Sequence, residues 1–263
     1  MKPVIVITGA SSGIGKCTAE TLVKRGCTVY DLSRRDMESA GIVHITTDVT
    51  DEESVINAID EIIRREGQID VLLNNAGFGI SGAVEFTETT DAERLFDVNF
   101  FGAVRITRAV LPHMRKAGKG RVVNVSSVAA VAPIPYQTFY SASKSAIMTY
   151  TMALANEVSD FGITACAVLP GDIRTGFTGA REKCAVGDDV YGGRISRSVS
   201  KMEQDEQGGM PPEKAAKKIA NIVLSHSKKP LYTIGFGYQC LTALIKLLPS
   251  GLVNRIIKLL YAN

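Results

Sequence analysis

The chain has 263 residues, 45% of them hydrophobic, with 30 Lys and Arg against 27 Asp and Glu for a net charge of +3. That apolar content fills one domain core, and the mild, scattered basic charge excludes a nucleic-acid surface as partner. Five cysteines without a C-x-x-C pair and three widely spaced histidines exclude a metal cluster and a Ser-His-Asp set, and they fit a reducing compartment.

Val4-Ile5-Val6-Ile7 is a β-branched run that predicts the first strand. It ends in Thr8-Gly9-Ala10-Ser11-Ser12-Gly13-Ile14-Gly15, and a helical pattern with Thr18, Leu22 and Val23 follows. Strand, Gly-rich turn and helix open a βαβ unit whose free N–H groups can hold a pyrophosphate; glycines serving only a tight turn are the alternative. Because the first strand begins at residue 3, no secretory or transit segment is expected, and a cytoplasmic protein is the default.

Strand-like runs recur at 27–32, 42–46, 69–73, 120–125, 163–169 and 230–234, and helical patterns at 13–25, 51–65, 89–117, 138–160 and 212–226. This alternation predicts an α/β fold: a single-domain, doubly wound parallel sheet of the Rossmann type with helices on both faces. Within 138–160, Tyr140 and Lys144 stand four apart and point the same way. A cation there is expected to lower a phenol that ordinarily titrates near ~10, so that Tyr140 can exchange a proton with a carbonyl or alcohol. Residues 172–210, rich in Gly, Arg, Ser and Asp, read as an irregular substrate lid on the carboxyl side of the sheet. In the C-terminal extension, about 237–263, residues 241–248 and 252–261 read as two short amphipathic helices with basic faces, too interrupted to span a bilayer. Three uses compete for them: packing over the substrate site, a subunit contact, or dipping into a membrane surface.

Several short motifs then fall in a characteristic order: residues 8–15, Asp48-Val49, Asn74-Asn75-Ala76-Gly77, Asn99 within Val98-Asn99-Phe100-Phe101-Gly102, Ser126-Ser127, the Tyr140/Lys144 pair, and Pro170-Gly171-Asp172-Ile173-Arg174-Thr175. Over residues 3 to about 235 the chain resembles the short-chain dehydrogenase/reductase family. Through residues 78–85 and Pro133 it looks most like the hydroxysteroid and retinol dehydrogenase-like NADP-dependent members. The resemblance implies an oxidoreductase that interconverts a hydrophobic, steroid- or lipid-like ketone or aldehyde and its alcohol by hydride transfer. It also implies a homodimer or homotetramer. Two alternatives stay open: a 3-oxoacyl-thioester reductase, which shares the active site, and a non-catalytic module that senses NADP(H), whose members typically lose the Tyr or Lys present here.

By the same resemblance, Asn99, Ser127, Tyr140 and Lys144 are the catalytic residues. Tyr140 would be the acid in reduction, Lys144 would hold the cofactor ribose and depress Tyr140, and Ser127, thirteen residues before Tyr140, would bond the substrate oxygen. Asn99 would position a water for proton resupply. Gly9, Ser11, Ser12, Gly13, Ile14 and Gly15 would hold the cofactor pyrophosphate, Asp48 and Val49 the adenine, and Asn75, Ala76 and Gly77 would lie under the cofactor. Pro170, Gly171, Ile173 and Thr175 would bind the cofactor, Thr175 at the nicotinamide carboxamide. The family's ribose-reading acidic position aligns with Ser33, not with Asp31 two residues earlier; Ser33, Arg34 and Arg35 suit a 2′-phosphate and favour NADP(H). Ile80, Pro133, Tyr136 and Phe177 are expected, with Ser127, to line the substrate pocket.

Overall fold

The computed structural model describes residues 2–36 and 39–262. In chain order the elements are β1 (Val4–Thr8), α1 (Gly13–Lys24), β2 (Thr28–Ser33), β3 (Ile42–Thr46), α2 (Glu52–Glu66), β4 (Val71–Asn74), β5 (Ile80–Ser81), α3 (Thr89–Phe96), α4 (Gly102–Ala117), β6 (Gly120–Val125) and α5 (Thr138–Glu157). They continue with β7 (Ile163–Pro170), α6 (Phe177–Ala180), β8 (Glu182–Lys183), α7 (Arg194–Gln207), α8 (Pro212–Val223), β9 (Leu231–Ile234), α9 (Phe236–Ile245) and α10 (Ser250–Tyr261).

All five residues of β1 are buried, and the period-two alternation of a strand divides them between two cores. Ile5 and Ile7 pack with Leu22 of α1 and Ile219 of α8, while Val4 and Val6 pack on the other face with Ile59 of α2 and Val110 of α4. A strand covered on both faces reads as a near-continuous apolar run, which is why β1 does not alternate with polar residues. Each buried Ile or Val contributes about 1.5–3 kcal/mol relative to exposure.

The main sheet has seven parallel strands in the order β3-β2-β1-β4-β6-β7-β9, a doubly wound arrangement with helices on both faces. The order reverses between β1 and β4, and a crevice opens beyond their carboxyl ends, where ligands bind in such sheets. β5 and β8 form a separate two-stranded pair.

Two sequence expectations change. The helix expected over 89–117 is interrupted by a π-turn over Asp97–Phe101. Asn99 sits in that turn and bonds the Phe78 backbone twice, which draws the chain out of α register. The irregular stretch of 172–210 contains α7, whose buried Ile195, Ser198 and Met202 make one narrow helical face in an otherwise polar run.

Candidate active site

The Gly-rich turn is shaped by close approach. Gly9 has φ +69°, and a Cβ there would stand 2.9 Å from Ala76 Cα; one on Gly15 would stand 2.5 Å from both Asn75 Nδ2 and Gly9 O. Asn75 closes this junction, donating through Nδ2 to Thr8 O at 3.1 Å and Gly9 O at 2.9 Å. Gly13 (φ +57°) looks across open space, its nearest neighbour being Thr175 Cβ at 3.8 Å from the added carbon. A side chain at Gly13 would occupy the crevice in which a dinucleotide fits, so these residues suit that group.

Asp31, fully buried in β2, accepts from Ala10 N at 2.7 Å, Ser33 Oγ at 2.6 Å and His44 Nδ1 at 2.9 Å. Ser33 borders the cavity, and its hydroxyl donates to Asp31 or to Arg35 O at 3.0 Å, partners that the sequence reading did not foresee. Arg34 and Arg35 are exposed at the crevice edge, and Arg35 Nη2 lies 3.4 Å from Ser12 Oγ and 3.5 Å from Ser11 Oγ, over the Gly-rich turn. Asp48 accepts from Thr50 N at 2.9 Å and Thr50 Oγ1 at 2.7 Å. Burial raises its carboxyl, but those bonds together with Arg34 and Arg105 prevail and hold it below the ordinary range. Val49 packs against Gly102, where an added Cβ would meet Val49 Cγ2 at 2.8 Å.

Tyr140 and Lys144 project from the first turns of α5. Lys144 Nζ lies 5.7 Å from the Tyr140 ring centroid and donates to Val125 O at 3.0 Å. Burial pushes Tyr140 up to about 12, opposed by a hydrogen bond from the Ser127 hydroxyl. Burial likewise pushes Lys144 down to about 8. Burial outweighs the lowering by the Ser127 hydrogen bond and by Arg181, so Tyr140 stands above its ordinary value, opposite to the direction expected from Lys144.

The two adjacent serines divide. Ser126 Oγ donates to Lys144 O at 2.6 Å, tying β6 to α5, while Ser127 faces Tyr140. Asn99 Nδ2 donates to Phe78 O at 3.0 Å and Ser143 Oγ at 3.1 Å, and its Oδ1 accepts from Phe78 N at 3.0 Å. An added Cβ on Gly77 would stand 2.9 Å from Asn99 Oδ1 and 3.4 Å from Lys144 Nζ. Ser143 is a partner that sequence spacing did not single out.

One cavity of about 1020 Å³ joins these groups, running from the Gly-rich turn past Tyr140 to α9 and α10. Ser11, Ser12, Gly13, Ile14, Ala76, Pro170, Gly171, Ile173, Thr175 and Phe177 all border it. Ile80, Pro133 and Tyr136 do not. Ile80 is buried in β5, paired with Glu182. Tyr136, with φ +61°, sets its ring edge-on to Tyr191 at 5.7 Å. The corresponding wall is built instead by Leu241, Leu244, Leu248, Val253, Ile256 and Leu260. Of the three uses open to the C-terminal helices, packing over the site is therefore one they fulfil. Their apolar periodicity was legible in sequence, but the place where they dock was not.

Residues 3–184 match the family model described as short chain dehydrogenase. Across its full length the chain is 42% identical to a 3-ketodihydrosphingosine reductase of Bacteroides thetaiotaomicron, covering 99% of that protein. A solved short-chain dehydrogenase of Streptomyces avermitilis superposes with a TM-score of 0.84 at 33% identity, over 97% of this chain and 96% of that one. The structure of ElxO with NADP bound superposes with a TM-score of 0.75 at 29% identity, over 91% of this chain and 100% of its own.

Proposed function

The chain belongs to the short-chain dehydrogenase/reductase family, an oxidoreductase by that membership, and from this premise we propose that it is an NADP(H)-dependent reductase of a long-chain, lipid-like ketone. The observation that carries this reading is the single cavity that joins the Gly-rich turn and Tyr140 to an apolar wall formed by α9 and α10. A sugar would leave that wall unsatisfied, whereas an alkyl chain gains by leaving water. The 42% identity to a 3-ketodihydrosphingosine reductase supports a lipid ketone over a steroid. Arg34 and Arg35 at the crevice edge, together with the likeness to an NADP-bound structure, support NADP(H) over NAD(H).

Bound NADPH would supply the hydride. Tyr140 would give its proton to the carbonyl oxygen, and the Ser127 hydroxyl would bond that same oxygen as it gains charge. Lys144 would return a proton toward Tyr140 from its place against Val125 O, and Asn99, bonded to Phe78 and Ser143, would hold the base of α5 in register. All four side chains converge, which favours turnover over a module that only senses the cofactor.

The test is NADPH consumption over long-chain ketones, steroid ketones and 3-oxoacyl thioesters, with Tyr140→Phe as control. Long-chain ketones should react fastest, and the variant should lose at least ~10²-fold in rate with little change in NADPH affinity. A Phe variant of near wild-type rate sinks the proposed acid; a preference for acyl thioesters installs the alternative substrate.

No helix among the described residues is long and apolar enough to cross a membrane. Phe236, Leu247 and Leu259 are exposed on α9, α10 and their link, beside Lys246, Arg255 and Lys258 and with no acidic residue over 236–262. We propose that this face rests on an anionic lipid surface in a cytoplasmic homo-oligomer. Sedimentation with and without anionic vesicles tests it: retention of all protein in the supernatant with vesicles removes the membrane contact, and the mass without them reads the oligomer.

A further inference from the structure

The cavity is amphipathic, with the apolar wall of α9 and α10 on one side and carboxylates close to Tyr140. Asp172, at the end of β7, and Glu206, in α7, both border it. Their surroundings differ. Glu206 is ion-paired with the buried Arg181 and accepts from Thr178 Oγ1. Asp172 accepts from the Tyr238 hydroxyl and, among the described residues, forms no ion pair. Lys201, the cation that acts on it, is paired with Asp205, and Arg181 is paired with Glu206. A partly buried carboxylate beside two further acids and outside any ion pair is costly: burial, Asp205 and Glu206 push it upward and prevail over the Tyr238 hydrogen bond and Lys201, which act the other way. Such a group is relieved by a cation that arrives with a ligand.

We propose that Asp172 receives the ammonium group of an amino ketone whose carbonyl stands on Tyr140 and whose alkyl chain lies along α9 and α10. The substrate class is thereby narrowed from a long-chain ketone to a cationic amphiphile with its amine next to the carbonyl. Asp172 acts as a specificity-determining residue, and this inference rests on the reading of the cavity as that of a long-chain ketone reductase. The chemistry of reduction is unchanged, since the ammonium is held and not transformed. Glu206, with its charge already matched by Arg181, adds to the negative potential without being the primary partner.

The experiment compares kcat/KM for three matched compounds: a long-chain 2-amino-3-ketone, its N-acetyl derivative, and the same ketone with hydrogen in place of the amine. Wild-type protein should favour the free amine over both neutral compounds by about 10- to 100-fold, the range for one charge-assisted hydrogen bond. Asp172→Asn should collapse that ratio to within a few-fold, and Asp172→Glu should keep most of it. Because the readout is a ratio within each protein, a general loss of folded enzyme does not alter it. Equal kcat/KM for amine and neutral ketone in the wild type, or an unchanged ratio in Asp172→Asn, overturns the assignment of Asp172 and leaves the ketone-reductase reading standing. Failure of all three ketones to consume NADPH overturns both.

Discussion

Asp31 is the residue whose removal should separate turn geometry from catalysis. Its carboxylate is fully buried and holds three donors from three segments: Ala10 N of the Gly-rich turn, Ser33 Oγ at the end of β2, and His44 Nδ1 on β3. In Asp31→Ala, Ser33 can turn to Arg35 O, 3.0 Å away, and His44 retains Thr46 Oγ1 at 3.2 Å. Among the described residues Ala10 N–H is bonded to Asp31 alone. Leaving that buried amide unpaired costs about 1–3 kcal/mol, and the lost bonds from Ser33 and His44 bring the total to about 2–5 kcal/mol. Asp31→Asn keeps one oxygen for Ala10 and turns its amide toward groups that can accept, so its cost should be about 1 kcal/mol. For a domain of this size, 1 kcal/mol corresponds to about 2–4 °C. Thermal unfolding should therefore place the Ala variant on the order of 10 °C below wild type and the Asn variant within about 4 °C. NADPH titration by fluorescence should show weaker binding in the Ala variant because Ala10 lies in the turn. An Ala variant within about 2 °C of wild type, or an Asn variant as unstable as Ala, would refute the role given to this carboxylate.

Two further outcomes follow from the charges around the crevice. Replacing Arg34 and Arg35 by Ala should lower kcat/KM with NADPH by at least ~10²-fold and leave NADH within a few-fold, since both side chains border the cavity and only NADPH carries the 2′-phosphate; an equal loss with both cofactors would move specificity elsewhere. Lys144 titrates at about 8 instead of the ordinary 10.5 because burial disfavours its charge. Reduction should accordingly be flat below pH 7 and fall as pH rises through about 8, as the cation that resupplies Tyr140 is lost. Stability should move the opposite way: the unfolded chain binds the extra proton between about 8 and 10.5, so the folded state gains with rising pH across that window. Lys144→Met should remove both dependences, and a rate profile unchanged in that variant would contradict the assignment.

Much of the molecule was readable from local pattern. β1, β4 and β7 are largely apolar because both of their faces are covered, and α2 shows its start at Asp51, which accepts from Glu53 N, and its end at Gly67, which has φ +74°. The Gly-rich turn and the four-residue spacing of Tyr140 and Lys144 are equally local, since one turn of helix brings those side chains to one face whatever surrounds them. Spacing to Tyr140 favoured Ser127 over Ser126 in the sequence, and in the structure Ser126 Oγ donates to the carbonyl of Lys144.

What the tertiary structure alone decided depends on groups distant in sequence. Asp31 looks like a displaced ribose ligand until Ala10 and His44 are seen to converge on it, 21 and 13 residues away. Ile80, Pro133 and Tyr136 have the composition of pocket residues, yet none borders the cavity: Ile80 is held in the β5–β8 pair and Tyr136 lies against Tyr191, while α9 and α10 supply the wall. The Tyr140 proton affinity likewise depends on how completely the fold removes water, a property of everything packed around the ring and of no single spacing. The order of hydrophobic and glycine residues along this chain determined its sheet and the position of its crevice, because those follow from neighbours in sequence. Which carboxylate is paired, which hydroxyl is bonded and what walls the cavity were decided only by packing, because burial and hydrogen-bond partners are set by the whole fold.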